Sequence, residues 1–107
     1  MTGEGAAVAG VTPSGDGARW FCFGPLTFAN AADVYAAGMT LPLPNEGVVD
    51  CGRLAAVDSA AVAVLLCLKR RAVKEEKPLR FVNLPPPLSA LAAVYGVGEM
   101  LADDAGG

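Results

Sequence analysis

The sequence predicts an α/β domain in which a small mixed β-sheet is packed against helices, with the element order ββαβαβα. Two observations predict it. Apolar runs of strand length alternate with runs of helix length, and strands separated by helices return through crossovers that favour parallel pairing. At 107 residues, with 53% apolar and 18% charged side chains, the chain can bury one core but not two. We therefore expect a single domain over 1–107, with a core from about 6 to 101 and loose tails at 1–5 and 102–107.

The N-terminal segment is predicted to form a β-hairpin. Ala6 to Val11 favours a short edge strand, and the aromatic-rich segment Ala18 to Phe23 favours a second strand. Thr12 to Gly17 contains the Pro, Ser, Gly and Asp residues of a turn between them. Gly24-Pro25 is predicted to end the second strand.

A first amphipathic helix is predicted from Phe28 to Met39. Apolar side chains recur there at steps of three and four residues, and Thr27 or Asn30 can cap the first turn. The predicted apolar face consists of Phe28, Ala32, Tyr35, Ala36 and Met39.

The segment from Val48 to Arg71 is the most informative part of the sequence. After a proline-rich connector, Val48 to Cys51 reads as a buried strand bounded by Gly47 and Gly52. We expect the residues from Arg53 to Ser59 to form a loop between this strand and the next helix. In sheets of this kind, such a loop is the usual place for recognition.

A second helix is predicted to open at Asp58-Ser59, because both side chains can accept hydrogen bonds from the free N–H groups of a first turn. Cationic side chains crowd its far end, and Pro78 limits it to about Lys77. The stretch Ala60 to Leu68 is apolar on every side, although it is far shorter than the ~20 residues that a membrane span needs. We expect protein to cover the surplus apolar face: mainly another helix of the domain, and partly a partner. Val62, Leu65 and Leu66 are predicted to lie in the core.

The C-terminal part is predicted to contain a strand over Leu79 to Leu84 and a third helix over Leu88 to Tyr95. Pro85 to Pro87 separates the two elements, and Gly96 stops the helix.

Composition excludes several classes of function. A net charge of −3, with no basic run longer than Lys69 to Arg71, argues against binding nucleic acid or anionic lipid. The absence of histidine removes the commonest general base and zinc ligand, so we expect no enzyme activity, cofactor or metal. Cys22, Cys51 and Cys67 are interpreted as small core residues in a reducing compartment. The N-terminus lacks the features of a secretory signal, so we expect a cytosolic location.

The strand ending in Val49-Asp50, the residue Arg53, the motif Val57-Asp58-Ser59 before an apolar helix, and the later segment Leu91 to Gly96 resemble the STAS domain. This domain is shared by anti-sigma-factor antagonists and sulfate transporter tails. More narrowly, the chain is similar to the MlaB-like STAS subunits of Mla-type phospholipid-transport ABC complexes. The likeness covers roughly residues 19–101, and the chain departs from many relatives in having Ala60-Ala61 where they have Gly-Gly.

The resemblance implies a non-enzymatic adaptor in a Gram-negative bacterium. Such a subunit binds the cytosolic, MlaF-like ATPase of the transporter beneath an inner-membrane permease, and it supports lipid asymmetry of the outer membrane. It would be cytoplasmic and peripheral at the inner membrane through its partner. The sequence leaves open whether the chain also forms homodimers.

The predicted contact surface centres on the hydroxyl residue at the start of the second helix. The predicted partner-binding residues are Arg53, Asp58, Ser59, Ala60, Ala61 and Tyr95. Arg53 has an alternative role as the ion-pair partner of Asp50 or Asp58. Ser59 has two alternative roles. In one it is the phosphoacceptor of an anti-sigma-factor antagonist, and its phosphorylation would switch partner binding. In the other it is a simple helix cap.

Overall fold

The computed structural model describes residues 10–101, which form a four-stranded sheet packed against helices. The elements are β1 (Val11–Pro13), β2 (Arg19–Leu26), α1 (Ala31–Thr40), β3 (Val48–Val57), α2 (Ser59–Lys74), β4 (Arg80–Val82), α3 (Pro86–Val94) and α4 (Gly98–Leu101). The strand order is β1-β2-β3-β4, with β1 antiparallel to β2 and the other neighbours parallel. The predicted mixed sheet and element order are confirmed, and the short α4 is an addition. The predicted tails at 1–5 and 102–107 lie outside the described residues.

Within the described residues, the first strand of the hairpin extends two residues beyond its predicted end at Val11. Most of the strand predicted over Ala6 to Val11 lies outside the described residues, and β1 includes Thr12 and Pro13, which we assigned to the turn. The turn is shorter because Ser14 and Asp16 organise it: the Ser14 N–H donates to the Arg19 carbonyl at 2.8 Å, and Asp16 accepts from the Ala18 N–H at 3.0 Å.

Strand β2 was predicted to end at Gly24-Pro25, and this prediction is wrong. The strand continues to Leu26, with an irregularity in its register against β3 between Gly24 and Leu26. Gly24 adopts a φ of +70°, a left-handed conformation that glycine tolerates without penalty. The Gly-Pro pair therefore distorts the strand but does not terminate it.

Strand β3 is the largest correction to the predicted fold. It runs for ten residues, through Gly52 and through most of the segment from Arg53 to Ser59 that we predicted as a loop. A shift in the β2–β3 register between Phe21 and Phe23 absorbs Gly52, whose N–H donates to the Asp50 carboxylate at 2.8 Å. A glycine that bends a paired strand has the same sequence signature as one that ends it.

Helix α1 buries a different face from the one predicted. It begins at Ala31, and its buried positions are Val34 and Gly38, while Phe28, Tyr35 and Met39 remain exposed. Gly38 determines this orientation because a Cβ atom there would lie 2.6 Å from a terminal carbon of Leu68. The backbone of α1 can therefore pack directly on α2, and the predicted apolar face points away from the core.

Helix α2 ends at Lys74, three residues before the predicted limit. Glu76 has a left-handed φ of +58°, and the Lys77 N–H turns back to the Ala72 carbonyl at 2.9 Å. Arg71 lies in the last turn of α2, where a cation complements the helix dipole. It also donates to the carbonyls of Gly38 and Leu41, at 2.8 and 2.7 Å. These bonds satisfy carbonyl groups at the C-terminal end of α1 that have no N–H partner within the helix.

Helix α3 starts two residues earlier than predicted, since Pro86 and Pro87 occupy its first turn. Proline fits there because the first N–H groups of a helix have no intrahelical acceptor. The helix ends at Val94, one residue before the predicted Tyr95, and Gly96, which was predicted to stop it, has a left-handed φ of +74°. Strand β4 is shorter than predicted because Asn83 leaves the extended conformation, with a φ of +59°.

The core lies between the sheet and the helices. Its largest fully buried side chains include Trp20, Leu26, Leu65, Leu68, Phe81 and Leu88. Val62 and Leu65 are buried as predicted, and Leu66 is half-buried. Within residues 10–101, none of the helices combines the length and apolar character that crossing a membrane requires.

Candidate functional site

The junction between β3 and α2 is a single residue, Asp58, which is held by hydrogen bonds on several sides. One carboxylate oxygen accepts from the Ala60 N–H at 2.8 Å, and the other accepts from the Phe28 N–H at 3.1 Å. Its own N–H donates to the Leu26 carbonyl, and its carbonyl accepts from the Ala61 N–H. Asp58 is therefore the N-cap of α2 and also the anchor of the turn that precedes α1.

The turn before α1 is organised by its own polar side chains. Asn30 accepts from the Thr27 N–H at 3.0 Å and donates to the Pro25 carbonyl at 2.9 Å. Asn30 precedes the helix, but its side chain makes no capping bond to it. The turn and its bond to Asp58 place the Phe28 ring beside the first two turns of α2, next to Ala60, Ala63 and Val64.

An exposed apolar surface covers the N-terminal half of α2. It is formed by Phe28, Tyr35, Ser59, Ala63, Leu66 and Tyr95, which we call the α2 surface. Two shallow grooves of about 290 and 280 Å³ meet there, one toward α3 and one toward α1, and Ala63 lines both. Phe28 is 75% exposed, Tyr35 42% and Tyr95 55%. Complete burial of an exposed phenylalanine contributes on the order of 1.5–3 kcal/mol, and the half-exposed tyrosines would gain less, so a partner that covers these rings is favoured.

Ser59 lies at the edge of the α2 surface and is half-buried. The cap of α2 is Asp58, so the interpretation of Ser59 as the capping residue is wrong. Within the described part of the chain, the Ser59 hydroxyl has no hydrogen-bond partner. It is consequently free to bond to another molecule or to be modified.

The structure separates Arg53 from the other predicted contact residues. Arg53 lies within β3, and its guanidinium carbon sits 4.6 Å from the centre of the Phe21 ring. Phe21 alternates along β2 with the buried Trp20 and Cys22, so Phe21 and Arg53 occupy the sheet face away from the core. Among the described residues, Arg53 forms no ion pair with Asp50 or Asp58. Neither the predicted grouping of Arg53 with Ser59 nor its alternative role matches the structure.

The remaining predicted residues divide into exposed and supporting positions. Tyr95 lines the same groove as Ser59. Ala60 is only 7% exposed and forms part of the groove floor, and Ala61 is completely buried, so Ala61 is not available to a partner. Asp58 uses both carboxylate oxygens within the domain and thus positions the surface.

The sequence did not identify Phe28, Tyr35 or Ala63 individually as members of the surface. Phe28 and Tyr35 were predicted as part of the apolar face of the first helix, and an amphipathic helix usually turns that face toward the core. The signal that points to the other face is Gly38 together with Val34, four residues before it. A glycine inside a helical pattern often marks close approach by a neighbouring element.

The three cysteines comprise a buried pair on the sheet and a half-buried residue on α2. Cys22 and Cys51 are buried on neighbouring strands, as predicted, and Cys67 is half-buried on α2. A hydrogen bond with the Cys22 thiol, together with burial, raises the pKa of the Cys51 thiol above its usual range, so the thiol stays protonated. Among residues 10–101, no three His, Cys, Asp or Glu side chains converge as a metal site would require.

We expect Asp58→Ala to lower the free energy of unfolding by about 2–3 kcal/mol, because the N–H groups of Ala60 and Phe28 both lose their acceptor. Asp58→Asn should lose about half as much, since its amide oxygen can still accept from one of them. Urea denaturation measures both effects. Asp33→Ala, at an exposed carboxylate on α1, is the control and should change stability by less than ~1 kcal/mol. Equal losses for Asp58→Ala and Asp33→Ala would show that Asp58 does not anchor the junction.

Comparisons with known proteins agree with this architecture. A family model described as "Mlab, STAS domain" matches residues 23–102, which is most of the chain. A comparison with curated proteins finds no match. Among solved structures, the chain is similar to the anti-sigma factor antagonist SpoIIAA in its unphosphorylated form. That similarity has a TM-score of 0.60 and 18% sequence identity, and it covers 79% of this chain and 76% of that chain. This likeness confirms the predicted fold class and, at such identity, is evidence for the fold alone.

Proposed function

Since the chain belongs to the MlaB-like STAS domain family, as its sequence motifs predict, we propose that it is a non-enzymatic adaptor subunit of a Mla-type ABC phospholipid transporter. It binds the cytosolic ATPase of that transporter through the α2 surface. In this role it is peripheral at the inner membrane of a Gram-negative bacterium. Its binding supports assembly and activity of the complex that maintains outer-membrane lipid asymmetry.

The observation that carries the proposal is the exposed apolar surface beside an unpartnered hydroxyl. Apolar side chains from the turn before α1, from α2 and from the end of α3 meet around Ala63. A partner that covers them gains the hydrophobic free energy that the isolated domain leaves unused. Ser59 supplies a polar group at the edge, where a hydrogen bond can fix the orientation of the partner.

The surface suits an adaptor better than an enzyme. Its polar groups are the hydroxyl of Ser59 and the phenol groups of Tyr35 and Tyr95, and the Asp58 carboxylate beside it already accepts two backbone hydrogen bonds. General acid–base chemistry is usually performed by a free carboxylate or imidazole within reach of a substrate, and the described lining of the two shallow grooves contains neither. Apolar burial with an orienting hydrogen bond needs no such group, and it is the usual anatomy of the centre of a protein interface.

We expect Ser59→Arg to weaken binding of the transporter ATPase at least tenfold, because a bulky charge would stand at the edge of the buried contact. Copurification followed by isothermal titration calorimetry measures this. Ser89→Arg is the matched control, since Ser89 is an exposed helical serine on α3 that does not line the grooves. Unchanged affinity for both variants would remove Ser59 from the interface, and failure of the unmodified chain to bind the ATPase would reject the adaptor role.

A second candidate function is that of an anti-sigma-factor antagonist switched by phosphorylation of Ser59. The half-buried hydroxyl without a partner favours it. A phosphate there would gain from the helix dipole and be repelled by the Asp58 carboxylate, and it would place about two negative charges at an apolar interface. Incubation with a kinase-type anti-sigma factor, followed by mass spectrometry, separates the two candidates. Phosphorylation of Ser59 that abolishes the complex supports the switch, and neighbouring genes for a lipid-transport ATPase and permease support the adaptor.

A further inference from the structure

The groove between α1 and α2 extends the α2 surface toward the C-terminal end of α2. Along α1 its wall is the exposed stripe of Phe28, Ala32, Tyr35 and Met39, whose spacing of three to four residues is that of a helix face. The part near Phe28 joins a deeper part of about 500 Å³, because Tyr35 and Cys67 line both. From Ala60 to Lys74 the groove follows α2 for about 20 Å, at 1.5 Å per residue. This length corresponds to about four helical turns.

The character of the groove changes from apolar to basic along its length. Around Phe28 and Ala63 the lining is almost entirely apolar, whereas the far end contains Arg70, Arg71 and Lys74. The chain as a whole carries a net charge of −3. A cationic end on an acidic protein is a local feature that a partner can recognise.

The cationic side chains of this region differ in whether they already form hydrogen bonds or ion pairs within the domain. Arg71 donates to the carbonyls of Gly38 and Leu41 and forms an ion pair with Glu75 at 2.8 Å. Lys69 donates to the Leu79 carbonyl. Arg70 and Lys74 are exposed and, among the described residues, have no polar partner. These two side chains are available to bind carboxylates.

We propose that an amphipathic helix of the partner protein lies lengthwise in this groove, with its apolar face on the α1 stripe and acidic side chains against Arg70 and Lys74. The assignment of this helix to the transporter ATPase rests on the proposed function. The groove and its charge are features of the structure and do not depend on that function. The groove is about four turns long and can hold a helix of that length, its apolar part matches the apolar face of such a helix, and its basic end fixes the direction of the helix.

Charge argues against a second copy of this chain as the occupant. Among the described residues that line the groove, Glu75 is the single acidic one, and it is already bonded to Arg71. Two copies docked through the same surface would offer no free carboxylate to Arg70 or Lys74. An anionic membrane is disfavoured by the net negative charge of the domain and by the restriction of the basic side chains to one end of the groove.

The first test measures affinity for the transporter ATPase at 50 and 300 mM salt. The charge-reversed variant Arg70→Glu/Lys74→Glu should bind at least tenfold more weakly than the unmodified chain at low salt, and its affinity should depend less on salt. Lys77→Glu is the control, because Lys77 is exposed and outside the groove. If the ATPase binds and the double variant retains full affinity, the inference fails and the adaptor role stands.

The second test does not require the ATPase. Phage display against the purified protein selects from amphipathic 18-residue helices with a fixed apolar face and randomised polar positions. Enrichment of Asp and Glu at one end, lost when Arg70→Glu/Lys74→Glu is the target, supports the inference. Selection without an acidic bias, or the same selection by both proteins, overturns it.

Cys67 reports whether a selected peptide occupies the groove. It lines both parts of the groove, so an occupant should slow its alkylation at least tenfold, while the buried Cys22 and Cys51 stay unreactive with and without peptide. Binding that leaves Cys67 fully reactive would contradict the proposed position.

Two further measurements detect the other occupants of the groove. Light scattering detects a dimer of this chain, and flotation with phosphatidylglycerol vesicles detects membrane binding. A dimer or vesicle complex that protects Cys67 in the absence of peptide would also overturn the proposal.

Discussion

Ala63→Arg is expected to lower the affinity for the transporter ATPase at least 100-fold, a loss of about 2.8 kcal/mol of binding free energy. Ala63 is exposed and, among residues 10–101, is the one residue that lines both shallow grooves of the α2 surface. A partner that covers the surface must bury this position, and an arginine there would introduce an unpaired charge and fill both grooves. Titration calorimetry with the purified proteins measures the loss.

The stability of the Ala63→Arg variant should change little, because alanine and arginine both favour helices and the side chain points to solvent. Ala90→Arg is the matched control: it places the same side chain on an exposed position of α3 away from the grooves. Full affinity of Ala63→Arg would show that the partner binds elsewhere. Equal losses for the two variants would point to a general effect of charge.

The prediction that Ala63→Arg breaks binding depends on a surface that the sequence predicted only in part. The sequence correctly placed Asp58 and Ser59 at the start of α2, because caps are local signals that depend on neighbouring N–H groups. It could not decide which of the two was the cap. In the structure Asp58 accepts the capping bond from the Ala60 N–H, and its other oxygen accepts from the Phe28 N–H, thirty positions away in the chain.

The faces of α1 show the limit of periodicity. The stripe through Phe28, Tyr35 and Met39 has the spacing of a core face, and so does the pair Val34 and Gly38. Side-chain size favours the first as the core, whereas close packing against Leu68 selects the second. Helix pattern alone cannot separate a core face from a partner-binding face, because both are apolar and both recur every three to four residues.

The length of β3 was missed for a related reason. Gly52 reads as a strand end in the sequence, but pairing with β2 continues as far as Leu26 and Val57. Strand continuation depends on the neighbouring strand and is invisible to local propensity. As a result, Arg53 was grouped with Ser59 although the two lie on different parts of the domain.

Gly47→Ala is expected to cost about 2–5 kcal/mol of unfolding free energy, enough to unfold a large fraction of a domain of ordinary stability. Gly47 has a φ of +70°, where a Cβ atom adds about 1–2 kcal/mol of strain. In addition, that Cβ would lie 2.6 Å from the backbone oxygen of Pro78, which cannot rotate away as a side chain can. The Gly47 carbonyl also accepts from the Arg80 N–H at 2.8 Å, so displacement would disturb the start of β4.

Gly24→Ala separates the two causes of the Gly47→Ala effect. Gly24 has the same φ of +70°, and a Cβ atom there would have no atom of the described residues within 4 Å. It should therefore lose only the ~1–2 kcal/mol of backbone strain, and the difference between the two variants measures the clash with Pro78. Urea denaturation gives both values. If the dependence of the unfolding free energy on urea concentration is the same for both variants, the same surface is exposed on unfolding. Equal losses would mean that the backbone at Pro78, between α2 and β4, moves away from the added Cβ atom at little cost. The close approach of Pro78 to the start of β3 would then contribute little to the stability of the sheet.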